Sequence, residues 1–124
     1  MKRIIMDIDE TICTTKNGDY RNAEPIIEVI EKIKEYKSLG FEICFSTSRN
    51  MRTYGGKAGK MAANTLPTIM EGLEKHQIPY DEIYIAKPWC GFEGFYVDDK
   101  AIRPDEFVDL SYQEINQLIN KKKV

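Results

Sequence analysis

The sequence predicts an α/β fold: a three-layer, Rossmann-like arrangement around a mostly parallel central sheet, with no cap domain. Three observations predict it. Residues 4–8, 41–46 and 82–86 form short apolar runs of strand length. Apolar residues at helical spacing stand between those runs. Polar residues follow each run directly. Strands alternating with helices imply parallel pairing, because parallel neighbours need a crossover connection.

Each element has its own warrant. Residues 4–8 are nearly all apolar, as a strand buried on both faces would be. Pro25 suits the first turn of a helix, where its missing N–H is not needed. Ile26, Val29, Ile30, Ile33 and Tyr36 follow at helical spacing, and Gly40 closes that helix. Residues 41–46 make the second strand. Leu66, Ile69, Met70 and Leu73 mark another helix, with Pro79 just past its end. Residues 82–86 and 95–97 read as two more short strands. The last helix opens on a capping box of Ser111 and Glu114, with Leu110 and Ile115 as the staple around it.

A chain of 124 residues has the size of one domain, so residues 1–124 are expected to form a single one. Its 18 basic and 20 acidic residues give a net charge of -2, which argues against nucleic-acid binding. No apolar run approaches the roughly 18 residues of a membrane span. Asp7 interrupts the apolar start too early for a signal peptide. Cys13, Cys44 and Cys90 are too few and too scattered for a disulfide framework or a zinc cluster. A cytoplasmic protein with no nucleic-acid or membrane partner is expected. The lysine run at 121–123 is read as a frayed, solvated end.

In parallel sheets, ligands bind outside the carboxyl ends of the strands. The first strand ends in Asp7-Ile8-Asp9-Glu10-Thr11, the second in Ser46-Thr47-Ser48-Arg49, the third in Ala86-Lys87-Pro88 and the fourth in Asp98-Asp99. Four aspartates, a hydroxyl cluster and a lysine thus converge on one edge. Crowded like charges cost energy, and a bound cation removes that cost. Hard oxygen ligands suit Mg²⁺.

This pattern resembles the haloacid dehalogenase superfamily of phosphatases. Residues 7–11 match its first motif, Asp-x-Asp-x-Thr, and Thr47 matches its second-strand hydroxyl. Lys87 and Asp98-Asp99 match its third and fourth motifs, all in the family's order. Arg49-Asn50-Met51-Arg52-Thr53-Tyr54 and Lys87-Pro88-Trp89-Cys90-Gly91 look like small members associated with capsule and surface-polysaccharide synthesis. The resemblance implies a Mg²⁺-dependent phosphomonoesterase for a small phosphorylated metabolite, with a sugar phosphate expected. Asp7 is then the nucleophile that forms an aspartyl-phosphate. Asp9 is the acid–base and a metal ligand through its backbone carbonyl. Thr47 donates to the phosphoryl group, Ser48 and Arg49 contact substrate, and Lys87 neutralises charge. Asp7, Asp9, Asp98 and Asp99 form the metal set; Asp98 or Asp99 touches the metal, the other holding metal-bound water or orienting Lys87.

Only a short stretch, residues 12–24, separates the first motif from the next helix, and residues 50–80 are filled by a loop and a helix. Neither has room for the cap domain that the superfamily often carries, and the resemblance then implies that a large substrate or a neighbouring subunit in a homo-oligomer covers the site. The stretch 49–60 holds Arg49, Arg52, Lys57 and Lys60 with no acidic residue, and Gly55, Gly56 and Gly59 let it approach an anionic ligand. His76 fits a helix C-terminus, where a cation suits the dipole. Two other classes use similar residues: a phospho-acceptor signalling module and a non-catalytic subunit of a polysaccharide assembly. The second carboxylate of Asp-x-Asp disfavours the first, because it is placed to hydrolyse the intermediate. The complete set of catalytic residue types disfavours the second.

Overall fold

The computed structural model describes residues 1–121. The expected frayed end at 121–123 therefore lies largely outside the described residues. The chain divides into two compact units, residues 1–89 and 90–124.

The first unit holds a parallel three-stranded sheet in the order β1-β4-β5, from β1 (Arg3–Met6), β4 (Glu42–Ser46) and β5 (Glu82–Tyr84). Between β1 and β4 lie β2 (Cys13–Thr14), a 3₁₀ turn (Tyr20–Asn22), β3 (Glu24–Pro25) and α1 (Ile27–Ser38). Between β4 and β5 lie α2 (Ala58–Asn64) and α3 (Leu66–Lys75). Both crossovers step the same way across the sheet, so right-handedness puts α1 and the α2–α3 pair on one face. Met6, Ile43 and Phe45 are buried there, with Val29, Ile30 and Ile33 of α1 and Ile69 and Leu73 of α3. The molecule is α/β and Rossmann-like, and neither insertion is large enough to be a cap domain. Among the described residues, no helix is long and apolar enough to cross a membrane.

Several sequence expectations shift. Residues 4–8 do not form a strand buried on both faces: β1 stops at Met6, and Ile5 is 62% exposed. The cause is topological, since β1 is an edge strand of a sheet whose connecting helices share one face. Pro25 belongs to the hairpin, paired with Cys13, and not to a helix. The Ile26 N–H still bonds back to the Ile12 carbonyl at 2.8 Å, so α1 starts only at Ile27. The third strand ends at Tyr84, because Ala86 turns left-handed at φ 65°. The end of the 49–60 stretch is helical, Lys57 being the N-cap of α2. Gly40, with φ 92°, closes α1 as expected, and His76 is the C-cap of α3.

In the second unit, residues 95–97 form no strand. Three residues between Gly94 and Asp98 offer too little length for a ladder of their own, and Phe95 and Val97 are 79% and 87% exposed. This unit holds α4 (Pro104–Asp109) and α5 (Tyr112–Ile119). The Ser111–Glu114 box is formed: the Glu114 N–H donates to Ser111 Oγ at 3.1 Å, and the Ser111 N–H to Glu114 Oε1 at 2.9 Å. Sequence periodicity missed α4, which is under two turns long. Its signal was local, with Pro104 opening the helix and Asp105 and Glu106 in its first turn.

Candidate active site

The carboxyl ends of β1, β4 and β5 lie side by side, and main-chain bonds extend their pairing. The Thr47 N–H donates to the Tyr84 carbonyl at 2.9 Å, and the Lys87 N–H to the Thr47 carbonyl at 3.0 Å. Thr47 and Lys87 are thereby fixed next to each other, beyond the regular strands.

Asp7 follows β1 directly. Its Oδ2 accepts from Thr11 Oγ1 at 3.0 Å, and Lys87 Nζ stands 3.7 Å from its Oδ1. Asp7 and Lys87 are both half-buried. The loop returns on itself, since the Thr11 and Ile12 N–H groups both donate to the Ile8 carbonyl. Glu10 sits left-handed at φ 62° in this turn.

Asp9 lies deeper in the same loop. Arg49 grips it bidentately: Nε donates to Oδ2 at 3.0 Å and Nη2 to Oδ1 at 2.8 Å. The Arg49 side chain is 4% exposed, and its guanidinium lies 4.4 Å from the centre of the Tyr20 ring. Cys13 Sγ is 3.9 Å from Asp9 Oδ1. Burial pushes the Cys13 thiol up to about 11, with the Asp9 charge adding to the effect, so this cysteine is a neutral packing group. Burial likewise raises the Tyr20 hydroxyl, again with Asp9 contributing.

Thr47 is 1% exposed, and its Oγ1 accepts the Arg49 N–H at 3.0 Å. One hydroxyl carries one donor and two acceptor sites, so its proton remains to be donated. Ser48 is half-buried, and its carbonyl accepts from the Met51 N–H at 3.0 Å. Asn50 turns left-handed at φ 63°, and its Oδ1 accepts from the buried Thr65 hydroxyl at 2.7 Å. That bond ties the loop after β4 to the junction of α2 and α3.

The first unit thus places Asp7, Thr11, Thr47 and Lys87 around the strand ends and pairs Asp9 with Arg49. Asp98 and Asp99 belong to the second unit, both exposed at a turn. The Lys100 N–H donates to Asp98 Oδ1 at 2.9 Å, and that bond, with a further one from Asp99, holds the Asp98 carboxyl below the usual carboxylate range. The donor set fits Mg²⁺ in kind: all oxygen, with no thiol or imidazole among the candidate ligands. Another cluster, Glu42, Cys44 and Glu82, brings its ligand atoms within 4.8 Å of one another. Arg3 answers its charge, at 3.2 Å from Glu42 and 3.7 Å from Glu82. The residue that sequence reasoning missed is Tyr20, an aromatic in an otherwise polar hairpin.

A crystal structure of a Vibrio cholerae protein, solved as an MCSG target, shares 54% sequence identity with this chain. The likeness covers 99% of this chain and 100% of that one, with a TM-score of 0.96. The chain belongs to the family of that Vibrio cholerae protein. At lower identity, one likeness shows the fold alone. A chain in the Pnkp1/Rnl/Hen1 complex matches with a TM-score of 0.53 at 18% identity, over 87% of this chain and 34% of that one. D,D-heptose 1,7-bisphosphate phosphatase from B. bronchiseptica, complexed with magnesium and phosphate, matches with a TM-score of 0.49 at 15% identity, over 77% of this chain and 54% of that one. No family model and no curated protein matches the chain.

Proposed function

We propose that this chain is a phosphomonoesterase of the haloacid dehalogenase type, acting in the cytoplasm on a small phosphorylated metabolite. One observation carries the reading: Asp7 stands between Thr11 and Lys87 at the end of β1, with Thr47 fixed beside Lys87 at the adjoining strand ends. A carboxylate attacking a phosphate monoester is repelled by its charge, so the site must supply opposite charge and donors. In this reading Thr11 holds one Asp7 oxygen and leaves the other to attack phosphorus, forming an aspartyl-phosphate. Lys87 balances charge on Asp7 and the phosphoryl group, the Thr47 hydroxyl donates to a phosphoryl oxygen, and Ser48 borders the same end. Asp9 passes a proton to the leaving alcohol and takes one from the water that ends the cycle, help typically worth about 10²- to 10⁴-fold. Asp7, the Asp9 carbonyl and Asp98 would hold Mg²⁺, and Asp99 would hold a metal-bound water or orient Lys87. When bound, Mg²⁺ supplies positive charge to the phosphoryl oxygens.

The basic residues Arg52, Lys57 and Lys60, exposed on the loop after β4 and the start of α2, favour a substrate with anionic groups beyond the phosphate. A sugar phosphate from capsule or surface-polysaccharide synthesis is the substrate class of this proposal. With no cap, a bulky substrate or a second copy of the chain shields the site.

Asp7→Asn tests the nucleophile. The amide keeps the shape but cannot attack phosphorus. Phosphate release from a panel of phosphorylated sugars, sugar acids and polyols is expected to vanish in the variant, with its thermal unfolding close to wild type. Turnover within tenfold of wild type would remove Asp7 from the mechanism.

A further inference from the structure

We infer that Arg49 is a positioning residue that holds Asp9 for the hydrolytic step, with Tyr20 of the hairpin fixing it, and is not a substrate contact. The inference rests on the phosphatase reading, and deepens it at Asp9.

The geometry carries it. A guanidinium is a rigid planar fork, and here two of its donors meet the two oxygens of one carboxylate at 3.0 and 2.8 Å. Such a pair fixes both the position and the plane of the carboxylate. Arg49 is itself held from three sides. Its backbone N–H is bound by Thr47 Oγ1. Its guanidinium rests against the Tyr20 ring. Its side chain is closed off from solvent, bordering a small cavity with Ile8, Ile69 and Leu73. Reaching a substrate would break two charge-assisted bonds and a cation–π contact together. An ionised carboxylate offers about four lone-pair sites. Arg49 takes two of them and the Cys13 thiol bears on Oδ1, which leaves the open site on Oδ2, with a defined direction.

In the second step the water oxygen attacks phosphorus and the P–O bond to Asp7 breaks, its electron pair returning to the Asp7 carboxylate. One water proton goes to Asp9. The proton then on Asp9 goes to the leaving alcohol of the next turnover, so the cycle balances.

A substrate contact and a positioning residue predict opposite changes in one observable. With an aryl phosphate, whose leaving group needs little protonation, loss of a substrate contact slows phosphoenzyme formation and raises KM. Loss of Asp9 positioning spares formation and slows breakdown. For Arg49→Gln we expect breakdown to slow by about 10²-fold, the scale of a 1 Å misplacement. Rapid quenching and intact-mass measurement then show a phosphorylated variant in the steady state and an almost unphosphorylated wild type, with kcat lowered and kcat/KM nearly kept. Arg49→Lys, which keeps the charge but loses the fork, falls between. Tyr20→Leu moves the same way by less, and these two variants carry the test if Arg49→Gln does not fold. Absence of phosphoenzyme together with a loss in kcat/KM overturns the inference, as does unchanged turnover. A wild type that hydrolyses no phosphate ester overturns the phosphatase reading and the inference with it, whereas an active wild type with unphosphorylated variants overturns the inference alone.

Discussion

Three residues after the three strands share an unusual backbone: Glu10, Asn50 and Ala86 are all left-handed, with φ between 62° and 65°. A left-handed residue other than glycine costs about 1–2 kcal/mol, least for asparagine. Such strain persists only where neighbours determine it, and here it marks the loops that aim the candidate site residues. Ala86 is the clearest case, since the next N–H, of Lys87, is held by Thr47. Ala86→Gly removes the Cβ clash, while the added freedom of the unfolded chain costs about 0.5–1 kcal/mol. The variant should therefore be more stable by up to about 1 kcal/mol in urea unfolding. Its turnover should fall, by up to about tenfold, because Lys87 is less firmly placed. A variant both less stable and fully active would mean that Ala86 is not strained. At this scale the strand-end positions of Asp7, Thr47 and Lys87 were legible, because mainly apolar stretches lead into them, and Thr11 was legible only through the Asp-x-Asp-x-Thr spacing. The sequence could not reveal that Arg49 binds Asp9, 40 residues away, because spacing carries no sign of which opposite charges meet in space.

Among the elements, the centre of the sheet was legible and its periphery was not. Ile43, Cys44 and Phe45 are wholly buried, and the apolar run of β4 says so directly. The hairpin strands β2 and β3 have two residues each, and α4 has six, too few for any period to register. Residues 95–97 err the other way, since β-forming side chains do not make a strand unless a ladder is closed. Asp81 shows how the connections are tied together. Its carboxylate accepts from Lys37 Nζ at the end of α1, at 2.8 and 2.9 Å, and from the Ile43 N–H of β4 at 2.8 Å. Lys37 first and the Ile43 N–H second hold the Asp81 carboxyl below its ordinary value. A carboxyl lowered in the folded state adds stability above its unfolded value, roughly 3.9. That contribution is lost as pH falls through the folded value. Wild type should thus lose this contribution as pH falls below about 4. Asp81→Asn should be less stable than wild type at pH 7 and show a shallower acid dependence. Thermal unfolding from pH 7 to pH 3 measures both, and parallel curves for the two proteins would exclude Asp81 as a contributor.

For the whole molecule, binding of the proposed metal can be read as stability. In the first unit, Asp7 and Asp9 are matched by Lys87 and Arg49, two negative charges against two positive. In the proposal Asp98 and Asp99 join the metal set, and a dication would answer their charge. The division after Trp89 was invisible in the sequence, because no linker or change of composition marks it. A ligand that binds only the folded chain stabilises it, by about 2.7 kcal/mol at a hundred times Kd. Mg²⁺ should therefore raise the unfolding midpoint of wild type, and excess chelator should abolish both that rise and the activity, with Mg²⁺ restoring them. Asp98→Ala removes a proposed ligand and also the turn bond from the Lys100 N–H. Without metal, the variant should be slightly less stable than wild type; with Mg²⁺, the gap between the two should widen. Asp99→Ala should retain more of the Mg²⁺ response than Asp98→Ala. This widening distinguishes a ligand from a structural aspartate, whose loss would weaken the fold equally with and without Mg²⁺. Activity that survives complete chelation would remove the metal from the mechanism.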